Sequence, residues 1–180
     1  LQPANAPRPK PGDDKGISAA AAAFATVADL DVTLGFYTDK LGFKVFRHED
    51  GPAGDPGANP LGLPHNLINN VYGRTAFVHP QGDDPNNKHT GALIFTTYYG
   101  AGGDDFSSRA KAPNYGIIGL RFAVSDADAH LEALKAKGVA PLYEPTDIGM
   151  LPYGAVTAFA IRDPNGILLE FFEPKEKPTP

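Results

Sequence analysis

Apolar residues recur along the chain with two different periods. In "FATVADLDVTLGFYTDKLGFKV" they fall at Leu30, Leu34, Tyr37 and Leu41, a spacing that lines one face of a helix. The same phase returns at Ala127, Leu131 and Leu134 in "RFAVSDADAHLEALKAKGVAPL". The two segments superpose at an offset of 97, which also carries Val27 and Asp29 onto Val124 and Asp126. Each predicts an apolar strand followed by a helix. Asp29 and Asp126 are placed to cap the helix starts, and Gly42 and Gly138 suit the ends. β-rich runs come next. They are "FKVFR", "VYGRTAFVH" and "ALIFTTYY" in the first half, and "APLYE", "AVTAFAIRD" and "ILLEFFE" in the second. "DPNG" between the last two predicts a tight turn, with Asn165 and Gly166 able to take positive φ. Each half therefore reads β-α-β-β-β, and the chain is an α+β protein built from that unit twice.

The segments outside this pattern are rich in Pro, Gly, Asn and Asp. Residues 1–16 read as an extended Pro-rich arm and 175–180 as a tail, flanking one domain over 17–174. Within it, module one covers about 17–100 and module two about 114–174. Two long loops, "HEDGPAGDPGANPLGLPHNLINN" and "HPQGDDPNNKHTG", have the composition of lids or rims. The net charge of −5 offers no basic face to nucleic acid, and no apolar run reaches the roughly 20 residues of a membrane helix. Cysteine is absent, which removes disulfides, thiolate ligands and a Cys nucleophile and leaves the redox compartment open. Leu1 stands where an initiator Met would, the expected result of removing an upstream segment, by an export peptidase or by design. A soluble protein is expected, cytoplasmic or exported.

"FYTDKLGFKV" early and "RDPNGILLEFFEP" late, on a paired βαβββ pattern, closely resemble the vicinal oxygen chelate superfamily. That group includes glyoxalase I, extradiol dioxygenases, fosfomycin-resistance enzymes and bleomycin-binding proteins. The resemblance covers about residues 17–174 and implies two modules curled into a cupped mixed sheet, the glyoxalase-like fold, with ligand inside the cup. It also implies a homodimer. Metal-using members carry four ligands on four strands, and the matching positions here are Ala22, Ile94, Gly119 and Glu170. Only Glu170 has a donor side chain, so the expectation is no metal and no other cofactor.

Glu170 then needs another role. Strand alternation puts Leu168, Glu170 and Phe172 on one face, which the resemblance implies is the concave one, and Arg121, two residues after the ligand position at Gly119, is expected to face the same cup. Three readings stay open: a structural Arg–Glu pair, a general acid or base with Arg121 steadying a developing charge, or a hydrogen-bonding anchor for ligand. His65, in the rim loop, is a further candidate contact or base, against a plain solvent-exposed histidine. His48, His79, His89 and His130 read as solvated surface residues. Tyr72 with Arg74, and Thr96 with Tyr98, are same-face pairs that line the cup if they point inward; Met150, Leu151 and Tyr153 lie in a loop suited to closing over it. The leading function is a metal-independent isomerase, lyase or cyclase acting on a small, largely apolar substrate through Glu170. The alternatives are a drug-sequestering binding protein, a metal-dependent glyoxalase or dioxygenase, and a scaffold without ligand.

Overall fold

The computed structural model describes residues 22–52, 70–80, 91–109, 111–112 and 117–175. The arm at 1–16 and most of both long loops lie outside these residues. The chain divides into two compact units, 1–102 and 103–180.

In the first unit, strand β1 (Ala22–Thr26) leads into helix α1 (Leu30–Gly35), which widens into a π-type turn over Phe36–Lys40. Strands β2 (Lys44–Pro52), β3 (Tyr72–His79) and β4 (Ala92–Tyr99) follow, and the sheet order is β1-β4-β3-β2. The second unit repeats this with β5 (Gly119–Ala123), α2 (Ala127–Ala136), β6 (Tyr143–Met150), β7 (Gly154–Arg162) and β8 (Leu168–Pro174), in the order β5-β8-β7-β6. In each sheet the first strand runs parallel to the last and the remaining pairs are antiparallel. The expected βαβββ duplication is thus the observed architecture: two four-stranded mixed sheets, each with one helix-bearing face.

The caps act as their residue types dictate. Asp29 accepts the backbone N–H of Val32 at 3.0 Å and Asp126 that of Ala129 at 2.8 Å. Gly42 and Gly138 hold φ of 76° and 78°, the left-handed geometry that ends a helix. Of the predicted apolar stripes, Leu30 and Tyr37 are buried and Leu34 and Leu41 half-buried in the first helical segment, and Ala127, Leu131 and Leu134 are buried in α2. Tyr37 packs on Phe95 of β4, and α2 lays His130 against Phe171 of β8 and Phe159 of β7. These contacts fix which face of each sheet the helix covers and which it leaves open. Among the described residues no helix is long and apolar enough to cross a membrane.

Three local expectations are corrected. In the DPNG turn only Gly166 takes positive φ, at 80°. Asn165 keeps a negative φ, because the buried Asp163 carboxylate accepts the N–H groups of Asn165 and Ile167 at 2.9 and 2.8 Å and sets the turn by itself. Strand β6 begins at Tyr143 and runs on through Asp147 and Ile148. An exposed edge strand shows no apolar alternation to read. Met150 is therefore the buried last residue of β6 rather than part of a loop, and only Leu151–Tyr153 form the turn into β7.

Candidate functional site

The open face of the second sheet carries a row of side chains across all four strands. Register places Arg121 (β5) beside Glu170 (β8), Glu170 beside Ala160 (β7), and Ala160 beside Tyr143 (β6). Arg121 Nε donates to Glu170 Oε2 at 2.5 Å, and the Tyr143 hydroxyl donates to Glu170 Oε1 at 3.1 Å. Ala160 is what allows this, since its single methyl leaves Tyr143 room to reach across β7. The Glu170 side chain is 15% exposed and that of Arg121 is 53% exposed. A carboxylate so far out of water requires partners, and here each oxygen has one. Burial and the adjacent Glu170 charge push the Tyr143 phenol up to about 12, so it stays a proton donor throughout the neutral range.

The same face continues into a buried apolar cluster of Met150, Val156, Ala158 and Phe172, none more than 5% exposed, with the exposed Tyr153 ring 4.5 Å from that of Phe172. Arg121, Glu170, Met150, Tyr153 and Phe172 are thus brought to one face of one sheet. Tyr143 joins them without having been singled out by the sequence. "APLYE" marked it as strand, but nothing local says which neighbour it meets.

The first sheet has its own open-face feature, a hollow of about 280 Å³ whose lining includes Glu49, Gly51, Gly73, Thr75, Thr96 and Tyr98. The Thr75 and Thr96 hydroxyls meet at 2.9 Å across its floor. Gly51 pairs with Gly73; a Cβ at Gly51 would meet nothing within 4 Å, whereas one at Gly73 would touch the Tyr98 ring at 3.4 Å. Thr96 and Tyr98 belong here. Tyr72 and Arg74 do not. They lie on the opposite, helix-bearing face, because β3 alternates and its odd-numbered residues face the hollow. Arg74 makes a two-pronged contact with Asp31 of α1, at 3.1 and 3.0 Å, which raises the guanidinium further above its already high range and lowers the exposed Asp31 carboxyl.

The histidines also need correction. His79 is buried at 4% exposure near Phe46, because β3 extends through it. His130 is half-buried, with Nε2 shielded from solvent and no hydrogen-bond partner among the described residues; burial lowers its pKa. His48 lies within β2 rather than after a strand, and it is exposed. His65 and His89 fall outside the described residues.

The four family ligand positions all map to open faces. Ile94 sits beside Phe24 as Glu170 sits beside Arg121, so Ile94 is the first sheet's counterpart of Glu170. At Gly119 an added Cβ would come within 2.7 Å of the Leu168 carbonyl oxygen, so a donor side chain there would have to displace β8. Ala22, Ile94 and Gly119 donate nothing, and among the described residues no three His, Asp or Glu side chains cluster closely enough to hold a metal ion. The donor set does not fit a divalent cation.

Comparison with known proteins agrees with this fold. The sequence profile of the Glyoxalase/Bleomycin resistance protein/Dioxygenase superfamily matches residues 19–171. No curated protein sequence matches the chain significantly. Among solved structures, a glyoxalase family protein from Bacillus cereus is similar at 16% identity and TM-score 0.65, covering 90% of this chain and 97% of that one. TnmS3, an antibiotic binding protein from Streptomyces sp. CB03234, is similar at 20% identity and TM-score 0.56, covering 89% and 99%. A glyoxalase I mutant from Zea mays is similar at 22% identity and TM-score 0.51; the match covers 86% of this chain but only 46% of the maize chain.

Proposed function

The chain belongs to the Glyoxalase/Bleomycin resistance protein/Dioxygenase superfamily, and from that premise we propose that it is a small-molecule-binding protein. It holds a small, largely apolar ligand on an open sheet face without a bound metal. The observation that carries this reading is the state of Glu170. Both of its oxygens are engaged, by Arg121 and by Tyr143. Protonating it would weaken both of these bonds, since each donor is held by the charge of the carboxylate. A fixed ion pair with the exposed Tyr153 ring on the same side of the sheet suits orienting a ligand better than moving a proton. The antibiotic-binding role of TnmS3 is in keeping with such a use of the fold.

A second reading, acid–base catalysis by Glu170 in an isomerase-, lyase- or cyclase-type reaction, draws support from the seclusion of that carboxylate beside an arginine. One experiment separates the two. Purified protein is incubated with a panel of apolar and aromatic small molecules, and complexes and free compounds are followed by native mass spectrometry. Binding with one-to-one stoichiometry and recovery of unchanged ligand is expected. Steady conversion to an isomer or elimination product, abolished in Glu170→Gln, would replace the binding reading with the catalytic one. Pairing with a second copy belongs to the same proposal, and sedimentation velocity would test it.

A further inference from the structure

We infer that Arg121 is the specificity-determining contact of this face and that it selects ligands bearing a carboxylate, with Glu170 and Tyr143 as its positioning residues. The inference rests on the binding reading above and adds a ligand class to it. A guanidinium has a fork of N–H donors, and Glu170 engages only the Nε side of this one. The two η nitrogens have no partner among the described residues, and the side chain is 53% exposed at the edge strand β5. Those nitrogens form the end-on edge of the group, whose two parallel N–H vectors match the two oxygens of a carboxylate.

Free arginines on protein surfaces sample many rotamers, and fixing one costs side-chain entropy when ligand arrives. Here that cost is met on folding. The Nε bond to Glu170 sets the plane of the guanidinium, and Tyr143 holds the other carboxylate oxygen so that Glu170 cannot swing away. A phenol that keeps its proton to about 12 supports this arrangement over the whole neutral range. Glu170 also neutralises much of the arginine's charge. Recognition therefore comes from the matched pair of hydrogen bonds more than from long-range attraction, in a chain whose net charge of −5 does not draw anions in. Phe172 is buried on the same face and holds the exposed Tyr153 ring at 4.5 Å in a tilted contact, so an aromatic ring beyond the carboxylate has the Tyr153 ring to meet.

The test uses two probes of one shape, 2-naphthoate and 2-naphthamide, titrated calorimetrically into the full chain. The wild type should prefer the acid by about ten-fold, the worth of one good charge-assisted pair. Arg121→Gln should erase that preference while leaving amide affinity within about two-fold, and Arg121→Lys, which keeps the charge but not the fork, should retain only part of it. Glu170→Gln and Tyr143→Phe should each lower the acid-over-amide ratio with Arg121 intact. A merely structural defect would weaken both probes together and leave the ratio unchanged, and circular dichroism verifies folding of each variant. Equal affinity of the wild type for acid and amide overturns the inference while the binding reading stands. A ratio unmoved by Arg121→Gln does the same. Failure of both probes to bind at millimolar concentration also overturns the inference, and the ligand panel above then decides the binding reading on its own.

Discussion

The two halves of this chain share a backbone plan and differ in what they place at equivalent points of it. In the second sheet the row across β5, β8, β7 and β6 is Arg121, Glu170, Ala160 and Tyr143. In the first sheet the corresponding row across β1, β4, β3 and β2 is Phe24, Ile94, Phe77 and Arg47. Even the irregularity recurs, since β2 and β6 each shift register at the end of this row. Where the second sheet leaves a gap at Ala160 and spans it with a tyrosine, the first fills it with the Phe77 ring, over which Arg47 lies at 5.5 Å. The helices diverge in the same manner. Thr33 and His130 occupy the same place in the repeat, at the offset of 97. The Thr33 hydroxyl donates to the Asp29 carbonyl at 2.7 Å, whereas His130 Nε2 is buried without a hydrogen-bond partner among the described residues. Duplication kept the hydrogen-bonded frame, and side chains on its faces were free to take different roles.

The largest expected effect tests whether the second unit depends on its aromatic layer as its repeat partner depends on Tyr37. Phe159 is fully buried and stacked on Phe171 at 5.1 Å, so Phe159→Ala should cost about 3–5 kcal/mol in a urea titration. Transplanting the second sheet's chemistry into the first is the sharper trial. Ile94 is 8% exposed, and Ile94→Glu alone should destabilise by about 3 kcal/mol as an unpaired buried charge. Adding Phe24→Arg beside it should recover at least about 1 kcal/mol if the row positions are truly equivalent. No recovery would show that the register match does not extend to side-chain geometry.

Smaller still is the coupling of the native pair. A double-mutant cycle on Arg121→Ala and Glu170→Ala should give about 1 kcal/mol, because the arginine is half-exposed and screened by solvent. The smallest effect is the pH dependence carried by His130. Its imidazole takes up a proton less readily in the folded chain than the ordinary value of 6.5 would allow. As pH falls through that value the unfolded chain binds a proton that the folded chain refuses, so stability is full above about pH 7.5 and declines below it. His130→Thr, the residue its repeat partner carries, should flatten the melting temperature between pH 7.5 and 5 relative to wild type, apart from contributions shared by both proteins.

Much of this was legible in the chain because it depends on short-range rules. Helix phase, Asp caps, glycine ends and strand alternation each involve residues within a few positions of one another, which is why the βαβββ unit could be read twice. The face of β8 that holds Glu170, and its company with Arg121, followed from alternation together with the family resemblance, which said where the ligand positions lie. What could not be read is which strands lie side by side and at what register. That pairing is set by contacts between residues distant in sequence: it put Tyr143 across Ala160 onto Glu170, turned Tyr72 and Arg74 to the helix-bearing face, and drew His79 and Met150 out of solvent. Local sequence determines periodicity and chain reversal because those are backbone and capping effects. Only the folded sheet decides which side chains meet, because the free energy that fixes them comes from burial and pairing that no single segment can supply.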